Sequence, residues 1–173
     1  PSITIRNVTL RNGSVANSGG ALLVFNDLAL SNVRFENNKA TAGSGGAVWD
    51  QGKNNLTLDR VVFLGNTASN QGGALLFRGA TGSIKNSFFA NNTSGGAGAA
   101  LVANLATSNL TFVNSTFTDA FKNPKEALLL TGSATLQNNI FHNFKTGFTV
   151  TGGTAVTVNE DYNLFAANDI DPQ

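Results

Sequence analysis

Ten carboxylates, eleven Lys and Arg and one His are the groups of this chain that could carry acid–base or metal chemistry. The carboxylates are Asp27, Glu36, Asp50, Asp59, Asp119, Glu126, Glu160, Asp161, Asp169 and Asp171. A facing pair would suit glycoside hydrolysis, and a cluster would suit calcium. Here they are scattered. Glu160–Asp161 is the one adjacent pair worth weighing, but neighbours on a strand point to opposite faces. Asp27 and Asp50 each follow a similar "GGA" segment, so they could neighbour each other on successive repeats. His142 is the sole His, and there is no Cys. Without either, no metal cluster can be built around it. A Ser-His-Asp reading rests on nothing beyond the residue types. No catalytic, cofactor-binding or metal-binding residue is assigned.

Gly pairs raise a second possibility. "QGGALLFRG" at residues 71–79 could open a phosphate loop. The spacings that cradle phosphate, with a following Lys-Ser/Thr or a third Gly opening a helix, do not occur. "GGAGAA" from Gly95 lacks the Asp that a calcium-binding nonapeptide needs. Arg34, Lys39, Arg60, Arg78 and Lys85 could form a basic face for acidic sugars, or could be solvated edge charges that keep a stack soluble. Trp49 aligns with Leu23 and Leu76, which places it in the core rather than on a sugar-stacking platform. Asn-x-Ser/Thr sequons begin at Asn7, Asn12, Asn55, Asn91, Asn92, Asn109 and Asn114.

These residues sit on a repeat. "GGALLVF", "GGAVWD", "GGALLFRG", "GAALVAN" and "EALLLTG" align on Ala21, Ala47, Ala74, Ala100 and Ala127, spaced by 26, 27, 26 and 27 residues. A second segment recurs in phase, as in "LALSNVRFENN" and "LTLDRVVFLGN". It sets Leu30, Leu58, Ile84, Phe112 and Leu136 in one series and Phe35, Phe63, Phe89, Phe117 and Phe141 in another. Alternation with period two makes these strands. One repeat cannot bury its own apolar face, so the copies must stack. Three short strands per 21–27 residues describe one coil of a parallel β-helix. A propeller blade needs about 40 residues.

The stack predicts residue columns about 4.8 Å apart per coil. Asn7, Asn32, Asn86, Asn114 and Asn138 form one, broken by Arg60; Asn12, Asn37, Asn91, Asp119 and Asn143 form another, broken by Gly65. Asn tolerates left-handed backbone, bonds its own turn and can bond its copies up a stack.

Composition bounds the rest. The formal charge is +1 and charged residues are 12%, so nothing marks a nucleic-acid or membrane-surface footprint. No membrane-spanning run is present. The chain starts at Pro1 and contains no Met, which suggests processing or a section of a longer chain.

The tandem "GGA" and Phe-x-x-Asn-like segments resemble the polymorphic outer-membrane protein repeats of bacterial surface proteins. More broadly they resemble the right-handed, pectate-lyase-like β-helix superfamily. "EDYNLFAANDIDP", Glu160 to Pro172, resembles a segment near the ends of such repeats. The resemblance implies an all-β, right-handed, single-stranded parallel β-helix over residues 1–173, of about seven coils. It implies an extracellular or cell-surface location. Its activity is open, because the superfamily holds lyases, hydrolases, adhesins and stalks. The expected function is a non-catalytic structural solenoid: a stalk, adhesin segment or fibre subunit that self-associates through the ends of the stack. No cofactor is expected. Surface glycans are a possible partner; nucleic acid and membrane insertion are not. The rival is a polysaccharide lyase or glycoside hydrolase. A third class, ice or surface binding, needs Thr in register on a flat face; Thr9, Thr57, Thr111 and Thr135 do not read as an unbroken two-column array.

Overall fold

The structure is a computed structural model that describes residues 2–52, 55–103, 109–151 and 157–169, with nothing said of the Lys122 side chain. Among these residues every secondary-structure element is a strand, and every strand pair is parallel. The chain winds through about six turns. Each turn contributes strands to three faces. The first face stacks Asp27–Glu36, Asn55–Asp59, Thr81–Lys85, Asn109–Val113, Ser133–Gln137 and Val158–Asp161, with Ser2–Arg11 beside Asp27–Glu36. The second stacks Val62–Leu64, Phe88–Ala90, Thr116–Leu130, Ile140–Val150 and Leu164–Ala166. The third stacks Leu22–Val24, Val48–Asp50, Leu75–Phe77 and Leu101–Ala103 on the later part of Thr116–Leu130. Short strands such as Lys39–Ala40 and Thr67–Ala68 form a separate small sheet.

The two Asn columns explain the corners. Asn7, Asn32, Asn86, Asn114 and Asn138 all lie at φ of 52–55°, and Arg60, which interrupts the series, lies at 54°. A coil that turned differently would break the ladder to both neighbours, so Arg60 takes the left-handed conformation although its Cβ disfavours it. The second column behaves alike: Asn12, Asn37, Gly65, Asn91 and Asn143 are all left-handed. Asp119 is the exception. It stands where Thr116–Leu130 pairs irregularly with Ile140–Val150, and its carboxylate instead accepts from the Phe121 N–H at 3.4 Å. Its turn role is therefore an Asx-type bond.

Apolar columns fill the interior. Leu30, Leu58, Ile84, Phe112 and Leu136 are fully buried. Phe35, Phe63, Phe89, Phe117, Phe141 and Phe165 stack face to face, with successive centroids 4.7–5.1 Å apart and planes within 16°. The stack follows from coil spacing: identical rotamers on parallel strands repeat at the strand separation. Each aromatic pair contributes about 0.5–1.5 kcal/mol beyond its buried area.

A buried polar ladder runs beside the rings. Asn38 Nδ2 donates to Asn66 Oδ1 at 3.0 Å, and Asn66 Nδ2 donates to Asn92 Oδ1 at 3.0 Å. The backbone N–H groups of Asn38 and Asn66 reach the same two oxygens. Each amide also donates to a carbonyl: Leu10, Phe35 and Phe63 respectively. Asn139 and Asn163 repeat the device in the later coils. These Asn lie one residue beyond or outside the columns read from the sequence.

The "GGA" segment is a corner. Gly72 is left-handed at φ 63°. A Cβ on Gly73 would meet the Ala99 carbonyl oxygen at 2.1 Å, so the second Gly admits the backbone of the next coil. Ala47, Ala74, Ala100 and Ala127 are buried behind it. Leu75 and Phe77 occupy inward columns.

Candidate functional site

The carboxylates are distributed over the coils, and several of them are engaged in joining one coil to the next. Asp27 Oδ1 accepts from the Asn55 N–H at 2.8 Å and from Asn55 Nδ2 at 3.2 Å. Asp59 pairs with Arg60 at 2.8 Å and accepts from Asn86 Nδ2 at 2.9 Å. Glu36 pairs with Arg34 at 3.2 Å. Glu126 Oε1 accepts from the Gly98 N–H at 2.8 Å. Asp119 Oδ2 accepts from Asn123 Nδ2 at 2.8 Å. Three of these, Asp27, Asp59 and Glu126, reach an adjacent coil.

Asp27 and Asp50 do not become neighbours. Asp50 registers with Val24 and Phe77 in an inward column of the third face and is fully buried, whereas Asp27 registers with Ser2 on the first face. Glu160 and Asp161 lie with Tyr162, Asn163 and Phe165 around a shallow recess of about 270 Å³ on the last coil. Asp171 lies outside the described residues.

The basic residues divide among the faces. Arg34 and Arg60 meet at a corner groove of about 400 Å³, with Asn7, Thr9, Asn32 and Val62. Both guanidinium groups are paired, Arg34 with Glu36 and Arg60 with Asp59. Lys85 registers with Asp59 at the edge of the first face. Lys39 is in the small sheet. Arg78 stands on the third face, its Cζ 6.0 Å from the centre of the Trp49 ring. No common basic face forms from these five.

Trp49 departs from its expected place. Val48 and Asp50 are buried, and Trp49 between them projects outward, half-buried. The residue in register on the preceding coil, Leu23, is 48% exposed, and nearby Phe25 is 58% exposed. Alternation reverses the reading: the aligned column is the outer one, although Leu76 within it is buried. His142 is half-buried beside Thr118, with Nδ1 3.2 Å from Oγ1. Among the described residues no group of three His, Cys, Asp or Glu could hold a metal ion. Among the described residues no helix is long and apolar enough to cross a membrane.

A family model for the right-handed β-helix region matches residues 2–163. The chain belongs to the right-handed β-helix family. No curated protein and no solved structure matches it significantly. In this right-handed β-helix, sequence reasoning missed the Arg34–Arg60 groove and the Asn38–Asn66–Asn92 ladder. The signal for the ladder was present: Asn38 and Asn92 end Asn-Asn doublets, and Asn66 follows Gly65 at the same place.

Proposed function

We propose that this β-helix is a non-catalytic, rigid scaffold of the cell surface or extracellular space: a stalk, adhesin segment or fibre subunit. The observation that carries the reading is where the polar side chains are spent. Asp27, Asp59 and Glu126 hold one coil to another, as do the buried Asn ladder and the six-ring stack. A β-helix built this way is stiff along its axis, because each coil is fixed to its neighbours by backbone, ring and amide together. The resemblance to polymorphic outer-membrane protein repeats supports the surface location. Immunolabelling of intact source cells tests it: protease-sensitive labelling is expected, and labelling only after permeabilisation contradicts it.

End-to-end association belongs to the same proposal. The first coil carries Arg6, and the last carries Asp161. Carrying the coil register one step further sets Arg6 beside Asp161 of the next copy. Exposed ion pairs contribute little each and are screened by salt, so this association is weak and salt-dependent.

A polysaccharide lyase or glycoside hydrolase is the second reading. The acidic recess around Glu160 and Asp161 is the feature that favours it, since it brings two carboxylates to one open surface.

A further inference from the structure

The outer side of the first face carries a regular pattern. Thr57, Ser83, Thr111, Thr135 and Asn159 stand in one register column on five consecutive coils. Two residues earlier, Asn55, Thr81, Asn109 and Ser133 form a second column in the same register. All nine positions are Thr, Ser or Asn, and all are exposed or half-buried. None is charged. Thr9 is not part of it, since it registers with Arg34 elsewhere. The array was hidden in the sequence because Ser83 and the Asn residues stand where a Thr series was sought.

The strip is rigid and regular. Its strands pair with no register shift, and Leu58, Ile84, Phe112 and Leu136 pack directly behind it. The polar positions therefore repeat at about 4.8 Å across coils and about 6.7 Å along each strand. Some are already aligned by bonds within a column: Thr81 Oγ1 donates to Asn55 Oδ1 at 2.5 Å. Between the columns, over Ala134, lies a shallow trough of about 160 Å³ lined by Asn109, Thr111, Ser133, Thr135, Thr157 and Asn159.

We propose that this face binds ice, the two columns holding a layer of water at spacings that merge with a crystal lattice. Soluble small ligands favour concave, largely apolar sites. A plane of uncharged hydroxyls and amides, fixed on a two-dimensional net, instead suits a flat periodic surface. Many weak contacts can then act together, and the rigid strands lose little freedom on binding. Thr adds a methyl beside each hydroxyl, which limits the orientations open to first-layer water. Asp59, Lys85 and Asp161 stand in the next column and bound the strip on one side.

The experiment is ice-affinity partition of the chain during slow freezing, together with thermal hysteresis and ice-recrystallisation assays. Enrichment in the ice relative to a bystander protein is expected. Ser83→Tyr and Thr111→Tyr, which place a ring across the plane, should abolish it. Phe88→Lys, on the second face, should leave it unchanged, with circular dichroism checking the fold of each. Exclusion of the native chain from ice overturns the proposal, including where the chain binds an insoluble polysaccharide instead. So does equal partition of folded Ser83→Tyr, Thr111→Tyr and native chains. The scaffold reading does not depend on either result.

Discussion

Asn38 Nδ2 and its own backbone N–H both donate to Asn66 Oδ1, each at 3.0 Å. One buried amide thus satisfies two donors from the adjacent coil, while its own Nδ2 is held by the Phe35 carbonyl and Asn92. Truncating it strands several groups at once. Asn66→Ala is expected to cost about 3 kcal/mol, since each unsatisfied buried group costs about 1–3 kcal/mol. Denaturant titration measures this. A loss below about 1 kcal/mol would show that the ladder contributes no more than one ordinary hydrogen bond.

The ring stack makes a different demand. Phe89 lies between Phe63 at 4.8 Å and Phe117 at 4.7 Å. Phe89→Ala opens a cavity in the middle of the stack and is expected to cost about 4 kcal/mol. Phe89→Leu keeps most of the volume and should cost clearly less. Equal losses for the two variants would show that filling this space contributes little to stability.

Arg60 is a substitution site with the opposite sign. Its backbone is left-handed at φ 54°, and Asn fills the equivalent position on neighbouring coils. Arg60→Asn should stabilise the fold by about 0.5–1 kcal/mol, part of the roughly 1–2 kcal/mol that a left-handed L-residue costs. In the Asp59 ion pair that is lost the Arg60 side chain is largely exposed, so the pair contributes little. Arg60→Val, β-branched, should destabilise. Thermal midpoints of the two variants check both signs, and a lower midpoint for Arg60→Asn would contradict the reading.

Glu160 stands in the register column of Leu136, the last member of an otherwise apolar series. In end-to-end stacking it would cover the column that begins with Ile5. A carboxylate at an inward position is a known way to keep a sheet edge from pairing. Glu160→Leu is expected to strengthen self-association, seen as larger species in sedimentation velocity at equal concentration. Unchanged sedimentation in low and high salt would contradict association through this end.

The fold was legible in the sequence because the repeat fixes register, and register fixes columns. Phe35 through Phe141 and the left-handed Asn residues followed from alignment alone. The position of Trp49 did not, because its segment is apolar on both faces in several copies, as in Leu75–Phe77. Alternation cannot then tell the inner column from the outer. The buried Asn ladder escaped for a related reason. Asn37 and Asn38 are adjacent and alike in type, yet one turns the corner and the other enters the core. Which does which depends on the backbone path. The hydroxyl strip was visible only after strand pairing set Ser83 between Thr57 and Thr111. Sites that rest on mixed residue types are the least readable, since chemistry rather than identity is repeated.

The scaffold reading is tested most directly by turnover. The chain is incubated with polygalacturonate, alginate and neutral β-glucans, with and without calcium, and new reducing ends and unsaturated uronates are measured. No product above the protein-free blank is expected with any polymer. Product release that disappears in a folded Glu160→Gln or Asp161→Asn variant would contradict the account and make the acidic recess of the last coil an active site.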